Sequence, residues 1–316
     1  MLFWPALLVA VLTYRQWSAP EPVTPLSETR LSNARVQHPV FHPIAVRALA
    51  RYRALPPPQQ QALKQNLRQA LQPLDQWLTE LEAADPRVLC VGELHRPATR
   101  RFLARQLFSR LPVDVLLLEA HPAQVRRLRE RTLAGDALVG LLGADAAELL
   151  RAALARNPRL ALAGIEERQR QAELRGGQGN RDRSIAVNFW NQYRSGARHA
   201  ILYGALHCSH RPHRLFGRLR ADAPPALRRR MLNLQVLGEH QDGPLEAFVY
   251  FLDELDLAPG HFAVADTGAL HPLMYRWFGL LNQQVFSEFA TLIVFRNPGA
   301  GPQPDAEPAD TLDESQ

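Results

Sequence analysis

Four apolar runs in this chain end in side chains that can move protons or hold a cation. "RVLCVGELH" is closed by Gly92, Glu93 and His95, "VDVLLLEAH" by Glu119 and His121, "RLALAGIEE" by Glu166 and Glu167, and "HAILYGALH" by Gly204 and His207. Carboxylates and imidazoles exchange protons near neutral pH and ligate divalent ions through oxygen and nitrogen. Such a set would serve general acid–base catalysis or a metal centre. Polar residues also follow strands because loops lie at the surface, so no single ending is informative. The repetition is the signal.

For these endings to meet, the runs must lie side by side. They and three later ones, "MLNLQVLGE", "HFAVAD" and "FATLIVFR", are short, apolar throughout and separated by helical patterns. That is the signature of a parallel sheet covered on both faces. The fold class is therefore α/β, a mostly parallel central sheet with helices on both faces, preceded by a helical N-terminal segment. In such sheets ligands bind beyond the carboxyl ends of the strands, where the four endings would converge. The repeated Gly-x-x-His of "GELH" and "GALH" predicts glycines that let the backbone turn sharply or approach a ligand, with an imidazole over the sheet edge.

In "HCSHRPH" the histidines His207, His210 and His213 recur at three-residue spacing, but Pro212 argues against one regular helix through them. Cys90 and Cys208 allow at most one disulfide and decide no compartment. A nucleophile elbow, a Walker loop, a dinucleotide fingerprint and a His-Glu-x-x-His helix are all missing from the sequence, which counts against serine hydrolases, nucleotide enzymes and zincins.

The 316 residues carry a net charge of +6, almost wholly from arginine, and the arginines are scattered over helix-like stretches. They read as solvated helix faces, those from Arg96 onward included, and not as a nucleic-acid surface. A weak attraction to anionic membrane is the better use of the charge. Residues 1–22 hold an apolar run too short for a standard span, so a signal peptide or short membrane anchor is expected, with localisation at the cell envelope and a cytoplasmic alternative. Residues 23–86 form a Pro-rich leader and a helix over about 56–84 that Pro73 kinks or divides; 87–297 are the α/β domain; 298–316 are an acidic tail with almost no apolar side chains, expected to be disordered.

The order "VLCVGELH", "VDVLLLEAH", "GNRDRSIAVNF", "HAILYGALH" resembles the superfamily of the Tiki and TraB metalloproteases, the ChaN-like haem-uptake proteins and, more distantly, the erythromycin esterases. Gly92, Glu93 and His95 match its first element, Glu119 its second, Gly204 and His207 its last. Arg181 matches a motif arginine, with Asp182 where asparagine is usual and Ile185 where methionine is usual. The resemblance implies one pocket at the strand ends. It leads to the expectation of a metal-dependent hydrolase of peptide or other amide or ester bonds. In that reading His95 and His207, with Glu93 or Glu119, hold manganese, cobalt or zinc, the remaining glutamate acts as base, and Arg181 neutralises a carboxylate or the developing oxyanion. The alternative is a ChaN-like haem carrier of the envelope, with His121, His210, Tyr203 or Tyr250 as axial ligands. The expected partner is a small-molecule or peptide substrate, with no nucleic acid and with membrane association through the N-terminus.

Overall fold

The computed structural model describes residues 42–126, 144–174, 181–239, 243–257, 260–278 and 288–296. The expected leader at 1–22 and the acidic tail at 298–316 lie outside the described residues. Among the described residues no helix is long and apolar enough to cross a membrane.

The apolar runs form strands as their composition requires. They are β2 (Val88–Glu93), β3 (Val115–Leu118), β4 (Ala161–Gly164), β5 (His199–Gly204), β6 (Met231–Gly238), β7 (Phe262–Val264) and β8 (Thr291–Phe295). With β1 (Leu71–Pro73) they make an eight-stranded sheet in the order β1-β7-β8-β6-β2-β5-β3-β4. Every pairing from β8 to β4 is parallel, while β7 runs antiparallel to both β8 and β1. Strands β2, β3, β7 and β8 are buried throughout, while the edge strands β1 and β4 are partly exposed.

The first helices are α1 (His42–Ala54), α2 (Pro57–Ala70) and α3 (Leu74–Ala84). The helix expected over 56–84 is thus divided at Pro73, as one branch of the expectation had it. The divider is a three-residue strand on the sheet edge, where a proline's missing N–H costs little. On α3, Leu74, Trp77, Leu78 and Leu81 recur at three- and four-residue spacing and all are buried.

Between the strands lie α4 (Pro97–Phe102), which continues as a wider π-type segment over Leu103–Phe108, α5 (Ala144–Arg156), α6 (Gln169–Leu174) and α7 (Asp182–Gln192). α8 (Leu215–Asp222), α9 (Pro225–Arg228), α10 (Gly243–Glu254) and α11 (Thr267–Phe278) follow. One side of the sheet presents Leu89 and Val91 of β2, Leu116 and Leu118 of β3, and Ala200 and Leu202 of β5 to the core formed with Phe102, Leu103, Leu107, Leu149 and Leu150. Side chains alternate along a strand, so Cys90 and Gly92 face the other side.

Candidate active site

The four polar endings belong to β2, β5, β3 and β4, which are consecutive neighbours in the sheet and all parallel. Parallel neighbours lie about 4.8 Å apart, so their carboxyl ends come within reach of one another although the residues are far apart in sequence. Glu119 shows this directly. Its Oε2 accepts the backbone N–H of Gly204 at 2.9 Å, across from β3 to β5.

His95 sits two residues beyond the end of β2, in the left-handed region at φ 52°. A non-glycine residue adopts that conformation at a cost of about 1 kcal/mol or more and keeps it only where its surroundings hold it. Here two carboxylates do so. His95 Nδ1 lies 3.1 Å from Glu93 Oε1 and Nε2 lies 3.3 Å from Glu119 Oε2. Contacts from Glu119 first and Glu93 second raise the imidazole from 6.5 to about 9, which favours its protonated form, and Arg100 Nη2 also lies 3.2 Å from Nδ1. Burial works against the charge on Glu119, but His95, the Gly204 N–H and the charge of His207 together lower its carboxyl to about 2.

These shifts describe one ion pair. The raised imidazole contributes stability that is full below its ordinary 6.5 and lost as pH rises through about 9. The lowered carboxyl contributes stability present above its ordinary 4.5 and lost as pH falls through about 2.

Glu93 is buried, at 3% exposure, and Arg100 accompanies it. Arg100 Nε and Nη2 donate to both carboxylate oxygens at 3.2–3.3 Å. The helix-face reading of the arginines from Arg96 onward is corrected at this position. Pro97 starts α4 directly beyond β2, and one turn later Arg100 comes back over Glu93.

The second imidazole is held from the other side. β5 ends at Gly204 and passes into a tight 3-10 turn, Ala205–Cys208, that carries His207. His207 Nδ1 donates to Asp182 Oδ1, and Arg181 Nη2 lies 2.9 Å from Nε2. Asp182 is fully buried at the start of α7. The contacts assign the proton to Nδ1 and leave Nε2 as the acceptor. Asp182 entered the sequence reading only as a departure from a motif. It is the residue that orients His207.

Arg181 joins the halves. The same Nη2 is 2.5 Å from Glu119 Oε1 and 3.6 Å from Glu166 Oε2. Beneath His207 the Tyr203 ring packs edge-on, with its hydroxyl sealed from solvent and without a hydrogen-bond partner among the described residues. Burial, then the charges of Glu166 and Glu119, push that phenol far above its ordinary value.

The two glycines act through space and not through a turn, since neither has a positive φ. A Cβ at Gly92 would stand 2.9 Å from Ala205 Cα, so the glycine lets the turn lie flat on β2. One at Gly204 would stand 3.0 Å from His95 Nε2 and 3.7 Å from His207 Cδ2. Both imidazoles therefore flank Gly204. Gly204→Ala is expected to push His95 off Glu119. In histidine NMR titrations the resonance with a pKa near 9 should fall by at least one unit, whereas an unchanged titration would mean that the Glu119 contact does not hold the proton.

The turn on β2 is also tied covalently. Cys90 and Cys208 form a disulfide with Cα atoms 5.4 Å apart, and both are fully buried. The pairing that their sequence positions left open is thus made, two residues before Gly92 and one after His207.

The expected metal ligands His95, His207, Glu93 and Glu119 lie at one sheet edge. Among the described residues, however, no three His, Cys, Asp or Glu side chains group as a metal ion requires. The guanidinium of Arg181, itself a cation, stands between Glu119 and His207. Of the haem-ligand candidates, Tyr203 and Tyr250 are buried, and His121 and His210 are exposed on the segments after β3 and after the 3-10 turn. Glu167 is buried and accepts a hydrogen bond from Ser184, outside this cluster.

A cavity of about 270 Å³ opens beside His95. Glu93, His95, Arg100 and Glu119 line one end of it, and side chains of β3, β5 and α5 line the rest.

No protein-family model matches the chain, and no curated protein matches it. Among solved structures, the toxin effector domain RRSP of a Vibrio vulnificus MARTX toxin is similar at 19% identity and a TM-score of 0.32, over 52% of this chain and 36% of that one. A Bacillus cereus protein is similar at 9% identity and a TM-score of 0.43, over 75% of this chain and 97% of that one. A bacterial protein toxin is similar at 18% identity and a TM-score of 0.32, over 57% of this chain and 39% of that one. This chain spans little more than a third of the two toxin chains. These are likenesses of fold alone.

Proposed function

We propose that the protein hydrolyses amide or ester bonds by carboxylate–imidazole acid–base chemistry at the carboxyl ends of β2, β5 and β3. The observation that carries this reading is the pairing of unlike imidazoles across Gly204. His95 lies between the carboxylates of Glu93 and Glu119, and His207 turns Nδ1 to Asp182 and Nε2 to Arg181. One imidazole able to give a proton and another whose Nε2 is placed to accept one are what acid–base catalysis requires.

In the proposed cycle the substrate carbonyl enters between His95 and Arg181 and draws the guanidinium off His207. His207 Nε2 takes a proton from a water, and Asp182 stabilises the imidazolium that forms. The water oxygen bonds to the carbonyl carbon, and the oxyanion is met by Arg181 and His95. His95 then protonates the leaving nitrogen or oxygen as its bond to carbon breaks, and the His207 proton passes through solvent to restore His95. One water is consumed, and an acid and an amine or alcohol are released.

No step is routed through a divalent ion, because the guanidinium of Arg181 already supplies a positive charge between Glu119 and His207. The haem-carrier alternative loses Tyr203, whose hydroxyl is sealed from solvent, and keeps His121 and His210, which are exposed. Location at the cell envelope draws support from the disulfide, which persists in oxidising compartments.

The test is turnover of a chromogenic p-nitrophenyl ester and a peptide p-nitroanilide before and after exhaustive chelation. Turnover that survives with less than about 0.1 metal ion per chain is expected. Loss on chelation with recovery on adding manganese, cobalt or zinc would overturn the scheme and restore the metal mechanism.

A further inference from the structure

The cavity beside His95 is not needed by any proton transfer in the scheme above, yet it is built. Its apolar lining is made by Leu118 of β3 and Ala120 just after it, Leu202 of β5, and Ala146, Leu149 and Leu150 of α5. The three α5 residues are spaced so that one helix face closes the cavity. Leu118, Leu149, Leu150 and Leu202 all belong to the buried core. A space bounded by such side chains gives water few partners and favours an apolar guest.

The polar end is charged but balanced. Two carboxylates, Glu93 and Glu119, stand against two cations, Arg100 and His95, and each cation is in contact with a carboxylate. Arg181 and Glu166, next to Glu119, add one charge of each sign, so the balance is kept. An anionic substrate group would have to displace a glutamate from Arg100 or His95. The volume, about 270 Å³, is just below the usual range for sites of whole drug-sized ligands, so it suits one side-chain-sized group.

We infer that this cavity is the acyl-group subsite of the hydrolase, and that it selects uncharged, compact apolar acyl groups, aliphatic or aromatic, placing their carbonyl at the His95 end. The inference rests on the hydrolase reading, because the acyl group is defined by the bond that is cleaved. Apolar contact raises kcat/KM as the acyl group fills the space, by roughly fourfold per buried methylene.

The test uses p-nitrophenyl acetate, butyrate, 3-methylbutanoate, 3-phenylpropanoate and hydrogen succinate, each normalised to its hydroxide-catalysed rate. Expected is a rise of at least 30-fold from acetyl to the best apolar acyl group, with the succinyl ester at or below acetyl. Two variants move the preference in opposite directions, which misfolding does not do. Ala146→Phe fills the cavity and lowers the phenylpropanoyl-to-acetyl ratio by tenfold or more, and Leu149→Ala enlarges it and raises that ratio. Saturation-transfer NMR with 3-phenylpropanamide reads occupancy without turnover, and Ala146→Phe should abolish the signal. Turnover with a flat acyl profile, or with the succinyl ester preferred, overturns the subsite and leaves the hydrolase standing. Amide binding lost in Ala146→Phe, with no ester turned over, supports the cavity as an apolar site and overturns the hydrolase instead.

Discussion

Replacing His207 by Gln lowers kcat/KM by about 10³, and Asp182→Asn lowers it nearly as far, with the double variant little worse than either alone. The magnitude follows from general base catalysis, which contributes about 10²–10⁴ when the base is held at the reacting proton. The base here is held from behind. Nδ1 donates to the fully buried Asp182, so Nε2 is the acceptor facing Arg181. Asparagine keeps the shape of Asp182 but not its charge, and it can offer Nδ1 an N–H that turns the imidazole into the wrong tautomer. Because the two residues act as a unit, their losses do not add. Steady-state kinetics of the three variants check this, with circular dichroism to show retained folding. Losses that add in the double variant would mean that Asp182 serves something other than His207.

The second large effect is on stability. The Cys90–Cys208 disulfide joins residues 118 positions apart, and both sulfurs are buried. In the chain-entropy account, closing a loop of that length stabilises the fold by about 5 kcal/mol. The double variant Cys90→Ala, Cys208→Ala is therefore expected to lose about that much, read as a fall of about 10 °C in Tm. The same variant should lose activity below its Tm, because Cys208 follows His207 and the bond pins the 3-10 turn to β2 beside Gly92. Differential scanning calorimetry with parallel kinetics measures both. A Tm within about 3 °C of the parent would show that packing around Ala205–Cys208 holds the turn without the bond.

Most of this site could be read from the chain because a parallel sheet converts sequence pattern into position. Once "RVLCVG", "VDVLLLEA", "RLALAGIE" and "HAILYGALH" are strands, their carboxyl ends must share an edge, and Glu93, His95, Glu119, Glu166 and His207 go with them. What sequence could not give is what depends on how a helix is hung from that edge. Arg100 belongs to a helix-like arginine pattern, and only the start of α4 at Pro97 brings it back over Glu93. Asp182 lies 25 residues before His207, and their contact depends on where α7 docks. Strand β1 has three residues, one of them proline, too short for any periodicity. The disulfide needed the fold of the 3-10 turn over Gly92, for which the spacing of the cysteines carries no sign.

The most direct measurement is the pH dependence of kcat/KM for the parent and for Glu119→Gln. His95 acts as the acid only while protonated, and its contacts with Glu119 and Glu93 hold it so up to about pH 9. Activity is expected to fall as pH rises through about 9 in the parent, and in Glu119→Gln this alkaline limb moves down by at least one unit. An alkaline limb at the same pH in both proteins, or activity still rising through pH 9, would contradict the assignment of His95 as the proton donor.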